Sequence, residues 1–254
     1  MANYKIVFSP TGGTKKVTDI LAAGLGESWQ EIDLSRPVEE KTFAAEDVCL
    51  VAVPSFGGLV PVVVLERLAK LTGAGAKAVL VCVYGNRLFE DTLTQLQDAV
   101  EAAGFVCPAA VAAVAEHSIM HVYAAGRPDA EDVAQLQEYA QRIAAALKSF
   151  TAEKKLVVPG SYGTYKQRGA MGLKPAADDT CVGCGLCASK CPVGAIDPAA
   201  PNQTNNDVCV TCMRCVAICP VKARSLNQQM VAGIIEKMKA ACSQRKANDL
   251  YLAE

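Results

Sequence analysis

The sequence predicts an α/β protein in which a doubly wound, five-stranded parallel sheet is followed by a small, cysteine-rich α+β domain. Over the first 150 residues, apolar segments alternate with segments of helical periodicity, as in a parallel sheet covered on both faces. The 254 residues are 51% hydrophobic, which is enough for one substantial core and a small second domain. Eight of the twelve cysteines lie within residues 181–219, after the part of the chain in which apolar and helical segments alternate.

The strand segments of the first 150 residues differ in character. Segments 48–53 (VCLVAV) and 78–84 (AVLVCVY) lack polar alternation, which is typical of strands buried on both faces, whereas segment 29–34 is weaker and predicts an edge strand. Ligands of such sheets bind at the carboxyl ends of strands, beside a topological switch point. The predicted strands are 4–8, 29–34, 48–53, 78–84 and 105–115, and the predicted helices are 15–25, 61–70, 88–103 and 129–147.

The alternation ends near residue 150. The segment that follows is rich in glycine, aromatic and basic residues, and we predict an ordered linker because Tyr162 and Tyr165 have apolar area to bury. A terminal helix over 226–242 carries an apolar side that needs a surface to pack against. The predicted boundaries are 1–150 for the sheet domain, 151–175 for the linker, 176–224 for the cysteine-rich domain and 225–254 for the terminal helix.

Charge is unevenly distributed along the chain. The net charge of −1 gives no reason to expect nucleic acid as a partner. Residues 1–150 carry a net charge of −6, whereas residues 151–175 carry +4. We hypothesise that the linker cations hold the acidic sheet domain against the second domain. These cations are Lys154, Lys155, Lys166, Arg168 and Lys174.

The N-terminus has no signal-peptide pattern. Residues 48–65 lack charge but contain Pro54, Gly57, Gly58 and Pro61, so we predict strand, loop and helix start and not a membrane span. We therefore expect a cytoplasmic protein without membrane contact. In that reducing compartment, cysteines bind metal more often than they form disulfides.

The clustered cysteines form two copies of one motif, and the copies begin at Cys181 and Cys209, 28 residues apart. Each copy reads C-x-x-C-x-x-C-x-x-x-C-P, the bacterial-type 4Fe–4S run, and two copies predict two clusters. The first three cysteines of a run bind one cluster and the fourth binds the other. The predicted ligands are Cys181, Cys184, Cys187 and Cys219 for cluster I, and Cys209, Cys212, Cys215 and Cys191 for cluster II.

A pair of zinc sites is the alternative for such spacing, but zinc has no use for the third cysteine and the following proline. The other four cysteines are Cys49, Cys82, Cys107 and Cys242. The first three lie in predicted strands, where we expect small buried hydrophobic residues and no catalytic thiol.

A glycine-rich segment, SPTGGT at residues 9–14, lies between the first strand and the first helix. Free amides at a helix start bind anions, and the hydroxyls of Ser9, Thr11 and Thr14 add donors. The segment lacks the lysine and serine of an ATP-binding loop and the spacing of a dinucleotide loop. The GxGxxG-like string at residues 73–78 precedes a strand, so we interpret it as a turn.

This loop resembles the phosphate loop of flavodoxins, T/S-x-T-G-N-T, with Gly13 in place of asparagine. The resemblance implies that FMN is bound by this loop and by two more, VPSFGG at 53–58 and VYGNRLFED at 83–91. Phe56 and Tyr84 are then candidates to stack on the flavin, and Gly57 and Gly58 resemble the peptide that flips to stabilise one-electron-reduced flavin. The implied FMN-binding residues are Ser9, Thr11, Gly12, Gly13, Thr14, Pro54, Ser55, Phe56, Gly57, Gly58, Tyr84, Gly85, Asn86 and Arg87.

The whole chain resembles the fused flavodoxin–ferredoxin family of anaerobes, and YGNR at 84–87 and EHS at 116–118 add to the resemblance. It implies a flavodoxin-like domain followed by a two-cluster ferredoxin domain. The implied function is electron transfer between FMN, the clusters and redox proteins that act as donor and acceptor.

An enzyme is the alternative: a ferredoxin-fed, flavin-dependent reductase of a small acceptor. Its only obvious polar candidates are His117, Arg87 and Asn86, and no acid–base pair stands out, so we favour the electron carrier and assign no catalytic residue. A third interpretation is a flavodoxin-like domain that has lost FMN and docks a partner. His117 and His121 are spaced to share a metal on a helix, but we favour a role in lining the flavin pocket or the domain contact.

Overall fold

The computed structural model describes residues 1–151, 153–165 and 172–254. Its strands are β1 (Asn3–Val7), β2 (Trp29–Asp33), β3 (Lys41–Thr42), β4 (Val48–Pro54), β5 (Leu71–Thr72), β6 (Lys77–Tyr84), β7 (Val106–Val114), β8 (Ala176–Ala177), β9 (Arg224–Ser225) and β10 (Asp249–Leu252). Its helices are α1 (Gly13–Leu25), α2 (Val62–Leu68), α3 (Thr92–Ala102), α4 (Ala130–Ser149), α5 (Leu186–Ser189), α6 (Arg214–Ala217) and α7 (Gln228–Cys242).

The main sheet has the order β10-β7-β6-β4-β1-β2. Strands β1, β2, β4, β6 and β7 pair in parallel, and taken along the chain their order is 2-1-3-4-5. That is the flavodoxin-like order of doubly wound sheets, with a switch point between β1 and β4. The predicted α/β class and its five parallel strands are therefore confirmed, and β2 lies at the predicted edge.

The sheet is buried on both faces. On β6, Leu80 and Cys82 enter the core beneath α2 and α3, while Val79 and Val81 enter the core beneath α1 and α4. All four are fully buried, as the absence of polar alternation predicts. Cys49, Cys82 and Cys107 lie within this core, and burial raises the pKa of the Cys49 thiol to about 12. They behave as the small hydrophobic residues that the sequence predicts.

A sixth strand, which the sequence pattern does not predict, completes the sheet. After α7 the chain returns, and β10 pairs antiparallel with β7 through the register Asp249↔Ala112 to Leu252↔Ala109. Residues 225–254 therefore contain more than the predicted terminal helix. We call residues 1–150 and 243–254 together the sheet region.

The buried side chain of Asn248 ties this returning segment to the sheet. Its Oδ1 accepts from the amide of Val114 at 2.8 Å. Its Nδ2 donates to Gln135 at 2.7 Å and to Asp132 at 3.1 Å. Because the same side chain bonds both β7 and α4, the chain end is fixed on the sheet.

The terminal helix α7 begins after Asn227, whose side chain caps it by accepting from the amide of Met230 at 3.0 Å. Its apolar side packs on the segment that follows β7. There Met120 and Tyr123 form a cluster with Cys242, against which Ile234, Ile235 and Met238 pack. This supplies the packing surface that the sequence requires.

The described residues 153–165 of the linker pack on the sheet region. Leu156 and Val158 are buried in the core, and Lys155 exchanges two backbone hydrogen bonds with Glu254. The hydroxyl of Tyr162 donates to Gln97 at 3.0 Å, and the hydroxyl of Tyr165 donates to Asp98. Of the linker cations that we expect to hold the two domains together, Lys166 and Arg168 lie outside the described residues.

Residues 172–225, which we call the cysteine region, have little regular structure. Within them lie the short helices α5 and α6 and the two-stranded pairing of β8 with β9. Lys174 donates to the carbonyl of Cys209, so this linker cation forms a bond within the cysteine region. Of the helices within the described ranges, none is long and apolar enough to cross a membrane.

Candidate functional site

The glycine-rich loop presents unpaired amides at the start of α1. Gly12, the N-cap residue, adopts a left-handed conformation with φ of 96° and has no side chain with which to cap the helix. Ser9 Oγ accepts from the amide of Lys15 at 2.9 Å. Among the described residues, the amides of residues 11–14 donate no hydrogen bond. Unpaired amides at the positive end of a helix dipole fit a phosphate group.

Gly13 lies in van der Waals range of the residue that follows β7. A Cβ atom there would lie 3.4 Å from the Cβ of Ala115, which directly follows β7. The start of α1 therefore packs closely on the end of β7. The departure from the flavodoxin pattern at Gly13 is compatible with this contact, and the loop keeps its free amides.

The second loop follows β4 and is a tight turn. Phe56 and Leu59 exchange two backbone hydrogen bonds, and both intervening glycines have positive φ. Gly57 is exposed and a Cβ there would meet nothing, whereas a Cβ on Gly58 would lie 2.0 Å from Glu90 Oε2. Phe56 is half-buried, with its ring 6.3 Å from that of Phe8. The backbone of Gly57 and one side of Phe56 thus remain accessible to a ligand.

Two other residues of this loop serve the fold. Pro54 ends β4 and is half-buried. Ser55 donates its amide to the carbonyl of Val83 at 2.8 Å, and its hydroxyl accepts from Thr92 at 2.8 Å. These bonds join the second loop to β6 and α3.

The third loop, after β6, is held from both sides. Tyr84 is buried, with its ring 5.4 Å from that of Phe89. The ring that we predict to stack on flavin therefore packs in the core instead. The side chain of Asn86 donates to the carbonyl of Cys242 at 2.6 Å, so it is committed to the C-terminal segment. Arg87 pairs with Glu90 at 2.8 Å. The side chains of this loop are thus engaged elsewhere, and its backbone is the part mainly available to a ligand.

The two histidines do not share a helix. His121 is exposed and pairs with Glu116 at 2.7 Å, whereas His117 lies against Gly85, where a Cβ would meet its ring at 2.5 Å. Burial lowers the pKa of His117 to about 4, and its Nδ1 accepts from the amides of Ile119 and Met120, each at 3.1 Å. His117 is therefore neutral at neutral pH, with its proton on Nε2.

The cysteine region brings cysteines of both motifs together. Cys191, from the first motif, lines one cavity with Cys209, Cys212 and Cys215 from the second. Burial, together with the three neighbouring thiols of the set, raises the pKa of Cys212 to about 12. Four thiolates in one cavity repel each other unless a cation lies between them, so this donor set fits an iron–sulfur cluster.

Backbone amides also point at sulfur in this cavity. Ala195 donates to Cys191 Sγ at 3.2 Å, and Thr211 donates to Cys209 Sγ at 3.4 Å. Such bonds tune the potential of a bound cluster. In the other predicted set, Cys187 is buried and Cys184 is exposed. No group of His, Cys, Asp or Glu within the described ranges is arranged for a single metal ion.

The cysteine region contacts the sheet region beside this cavity. Arg67 on α2 donates to the carbonyl of Pro192 at 2.6 Å and to that of Leu34, directly after β2, at 2.5 Å. Ile119, after β7, packs on the cluster that contains Met213. Pro192 and Met213 both line the four-cysteine cavity. Because Leu34 and Ile119 follow strands, these contacts lie at the carboxyl-end edge of the sheet.

Comparisons with known proteins found one matching family model and several similar solved structures. Residues 180–224 match the family model of the 4Fe-4S dicluster domain. Solved structures similar to the chain include the flavodoxin of Streptococcus pneumoniae TIGR4, at 23% identity over 57% of this chain and 99% of that one, with a TM-score of 0.41. Among curated proteins, none matches the sequence.

Two further flavodoxins have similar coverage. Flavodoxin 1 of Bacillus cereus is 14% identical over 59% of this chain and 100% of its own, with a TM-score of 0.42. The Fusobacterium nucleatum flavodoxin bound to flavin mononucleotide is 15% identical over 58% of this chain and 96% of its own, with a TM-score of 0.35. The strand order gives the sheet region a flavodoxin-like fold, and the matched segment gives the cysteine region a 4Fe-4S dicluster domain, the two features expected of a fused flavodoxin–ferredoxin protein.

Proposed function

We propose that the protein is an electron-transfer iron–sulfur flavoprotein that passes electrons between FMN and two 4Fe–4S clusters. FMN would lie at the carboxyl ends of β1, β4 and β6, and the clusters would lie in the cysteine region. Flavin exchanges electrons singly or in pairs, whereas a cluster passes one at a time. A chain that holds both connects two-electron donors to one-electron acceptors, or the reverse.

The observation that carries this proposal is the position of Cys191. It belongs to the first motif, yet it lines the cavity of the second. That exchange is expected of two-cluster ferredoxins and has no purpose in a pair of independent zinc sites. Cluster II is therefore assigned to Cys191, Cys209, Cys212 and Cys215, and cluster I to Cys181, Cys184, Cys187 and Cys219.

The contacts of the cysteine region support a different role for each cluster. Cluster II would lie beside Pro192, whose carbonyl accepts from Arg67, and so near the sheet region. Cluster I has an exposed ligand, Cys184, next to Val182, whose side chain is 66% exposed. Electrons would pass between FMN and cluster II, then cluster I, and then a partner redox protein that docks at Cys184.

On the flavin side, the chain would bind the FMN phosphate and orient the flavin ring. The unpaired amides of residues 11–14 would hold the phosphate, with the hydroxyls of Thr11 and Thr14 as further donors. Phe56 would flank the ring, and the open backbone of Gly57 would meet its edge. His117, neutral and packed on Gly85, would support the third loop.

Double substitutions test the cluster assignment without a partner protein. Two clusters give about eight iron atoms per chain. Cys191→Ala with Cys209→Ala removes two ligands of one cluster, so about half of the iron should remain. Cys191→Ala with Cys184→Ala damages both clusters, so little iron should remain. The opposite pattern of iron content would show that Cys191 binds with its own motif.

The flavin assignment is tested by extraction and by one substitution. Acid extraction of the anaerobically purified protein should release FMN, and release of riboflavin alone would contradict the phosphate site. Gly12→Ala forces a left-handed conformation on alanine and should weaken FMN binding. Gly233→Ala, on the exposed face of α7 with no neighbouring atom, is the matched control and should leave FMN affinity unchanged.

A further inference from the structure

The two cysteine motifs differ in charge at the position five residues after their last cysteine. Each motif continues past its proline, as CPVGAI in the first and CPVKAR in the second. Ile196 follows Cys191 by five residues, and Arg224 follows Cys219 by five. At this position the second motif has a cation where the first has an apolar side chain.

Both side chains are buried. Ile196 is 3% exposed and lines the cavity of cluster II. Arg224 is 2% exposed, although charged side chains are almost never fully buried unless they are paired. An apolar side chain at this position packs without cost, but the guanidinium needs compensation.

The partners of Arg224 within the described ranges are neutral oxygens and cysteine sulfur. Its Nη1 donates to the carbonyl of Pro201 at 2.7 Å, and its Nη2 donates to the carbonyl of Pro175 at 3.2 Å and to Thr204 Oγ1. Its Nε is buried without a partner. These bonds fix the guanidinium but do not neutralise its charge.

The guanidinium lies close to cysteines of both predicted ligand sets. Nη1 is 3.9 Å from the Sγ of Cys187, a ligand of cluster I. Its side chain also lies within interaction distance of Cys215, a ligand of cluster II. One buried cation thus faces one cysteine of each set.

We propose that Arg224 is a counter-charge shared by both clusters, and that it raises the reduction potential of each. The proposal rests on the proposed function, because it requires the two clusters. Each cluster that accepts one electron gains one negative charge, and a nearby fixed cation favours that reduced state. The cysteine ligands supply the anionic partner that the buried guanidinium otherwise lacks.

Substitution of Arg224 separates charge from packing. Arg224→Ile copies the first motif, Arg224→Gln removes the charge but keeps amide donors, and Arg224→Lys keeps the charge. Lys222→Met is the matched control, because it removes an exposed cation two residues away. The measurement is the midpoint potential of each cluster, from an anaerobic redox titration followed by electron paramagnetic resonance, with iron counted in every variant.

Both clusters should shift to lower potential in the Ile and Gln variants, while Lys and the Lys222→Met control stay near the native values. Full iron content with unchanged potentials in the Ile or Gln variant would overturn the proposal. If no Arg224 variant, including Lys, assembles clusters, Arg224 is a structural tie and the proposal is again wrong. Native protein that cannot be loaded with iron would instead refute the proposed function.

Discussion

The sheet region and the cysteine region are stabilised in different ways. In the sheet region, two extensive apolar cores cover both faces of the sheet, and strands β4 and β6 are almost entirely buried. Among the described residues of the cysteine region, the helices are α5 and α6, with four residues each. The apolar cluster there includes Val231 of α7, which lies outside the region. Burial of apolar area explains the first fold but not the second.

The comparison teaches that a fused chain can contain one part that folds by its own core and one part that folds on its cofactors. Without iron, a cavity lined by thiols contributes little to the stability of the cysteine region, and bound clusters would add ligation. The sheet region needs no such help. The two parts should therefore respond differently to the same perturbation.

Removal of iron should have the largest effect. Iron-free protein should keep the sheet region folded and lose structure over residues 176–225, because little apolar area holds the latter together. Amide hydrogen exchange measured by mass spectrometry checks this, since protection should persist in β6 and β7 and vanish in the cysteine region. Equal protection of both regions without iron would break the comparison.

A matched pair of core substitutions tests the difference between the sheet region and the cysteine region more sharply. In iron-free protein, Leu80→Ala should lower the free energy of unfolding by about 2–5 kcal/mol, because Leu80 is fully buried in β6. Ile196→Ala should change it little, because its surroundings are then unfolded. Urea unfolding followed by the fluorescence of Trp29, the single tryptophan, reports the sheet region directly. Similar losses in both variants would contradict the difference between regions.

The returning strand offers a smaller test within the sheet region. Asn248→Ala leaves the amide of Val114 without its partner and should cost about 1–3 kcal/mol of unfolding free energy. Asn202→Ala, at an exposed position of the cysteine region, should have no effect on the same transition. If Asn248→Ala is as stable as the native protein, β10 contributes nothing to the sheet.

The smallest expected effect is on the pH dependence of the free energy of unfolding. Burial opposes ionisation of Asp132, but the hydrogen bonds from Arg127, at 2.8 and 2.5 Å, outweigh it and hold the pKa of this carboxyl below its ordinary value. A lowered pKa in the folded state stabilises above the unfolded value, so this contribution is lost as pH falls below about 4. Unfolding measured between pH 3 and 7 should depend less on pH in Asp132→Asn than in the native protein. Identical pH profiles would exclude a contribution from Asp132.

Local patterns predict the sheet and the motifs well because their signals are continuous in sequence. The apolar runs identify the buried strands, and the spacing of the cysteines predicts that Cys191 joins the second set. Strand β10 escapes prediction because its four residues pair with a strand more than 130 positions earlier. No local pattern marks such a return.

Three site residues show the same limit. Tyr84 lies at a strand end, where sequence alone cannot distinguish a ring that faces the ligand from one that packs on Phe89. The side chain of Asn86 is occupied by the segment after α7, and Arg67 binds a carbonyl 125 residues away. Contacts between distant segments decide the roles of Asn86 and Arg67, and only the fold reveals the roles of all three.

The central claim is that FMN and the clusters exchange electrons within one chain. The most direct measurement reduces the anaerobic protein with less than one equivalent of electrons and follows flavin and cluster absorbance by stopped flow at several protein concentrations. The account predicts that electrons redistribute between flavin and clusters at a rate independent of concentration. A rate proportional to protein concentration, or no redistribution, would contradict it.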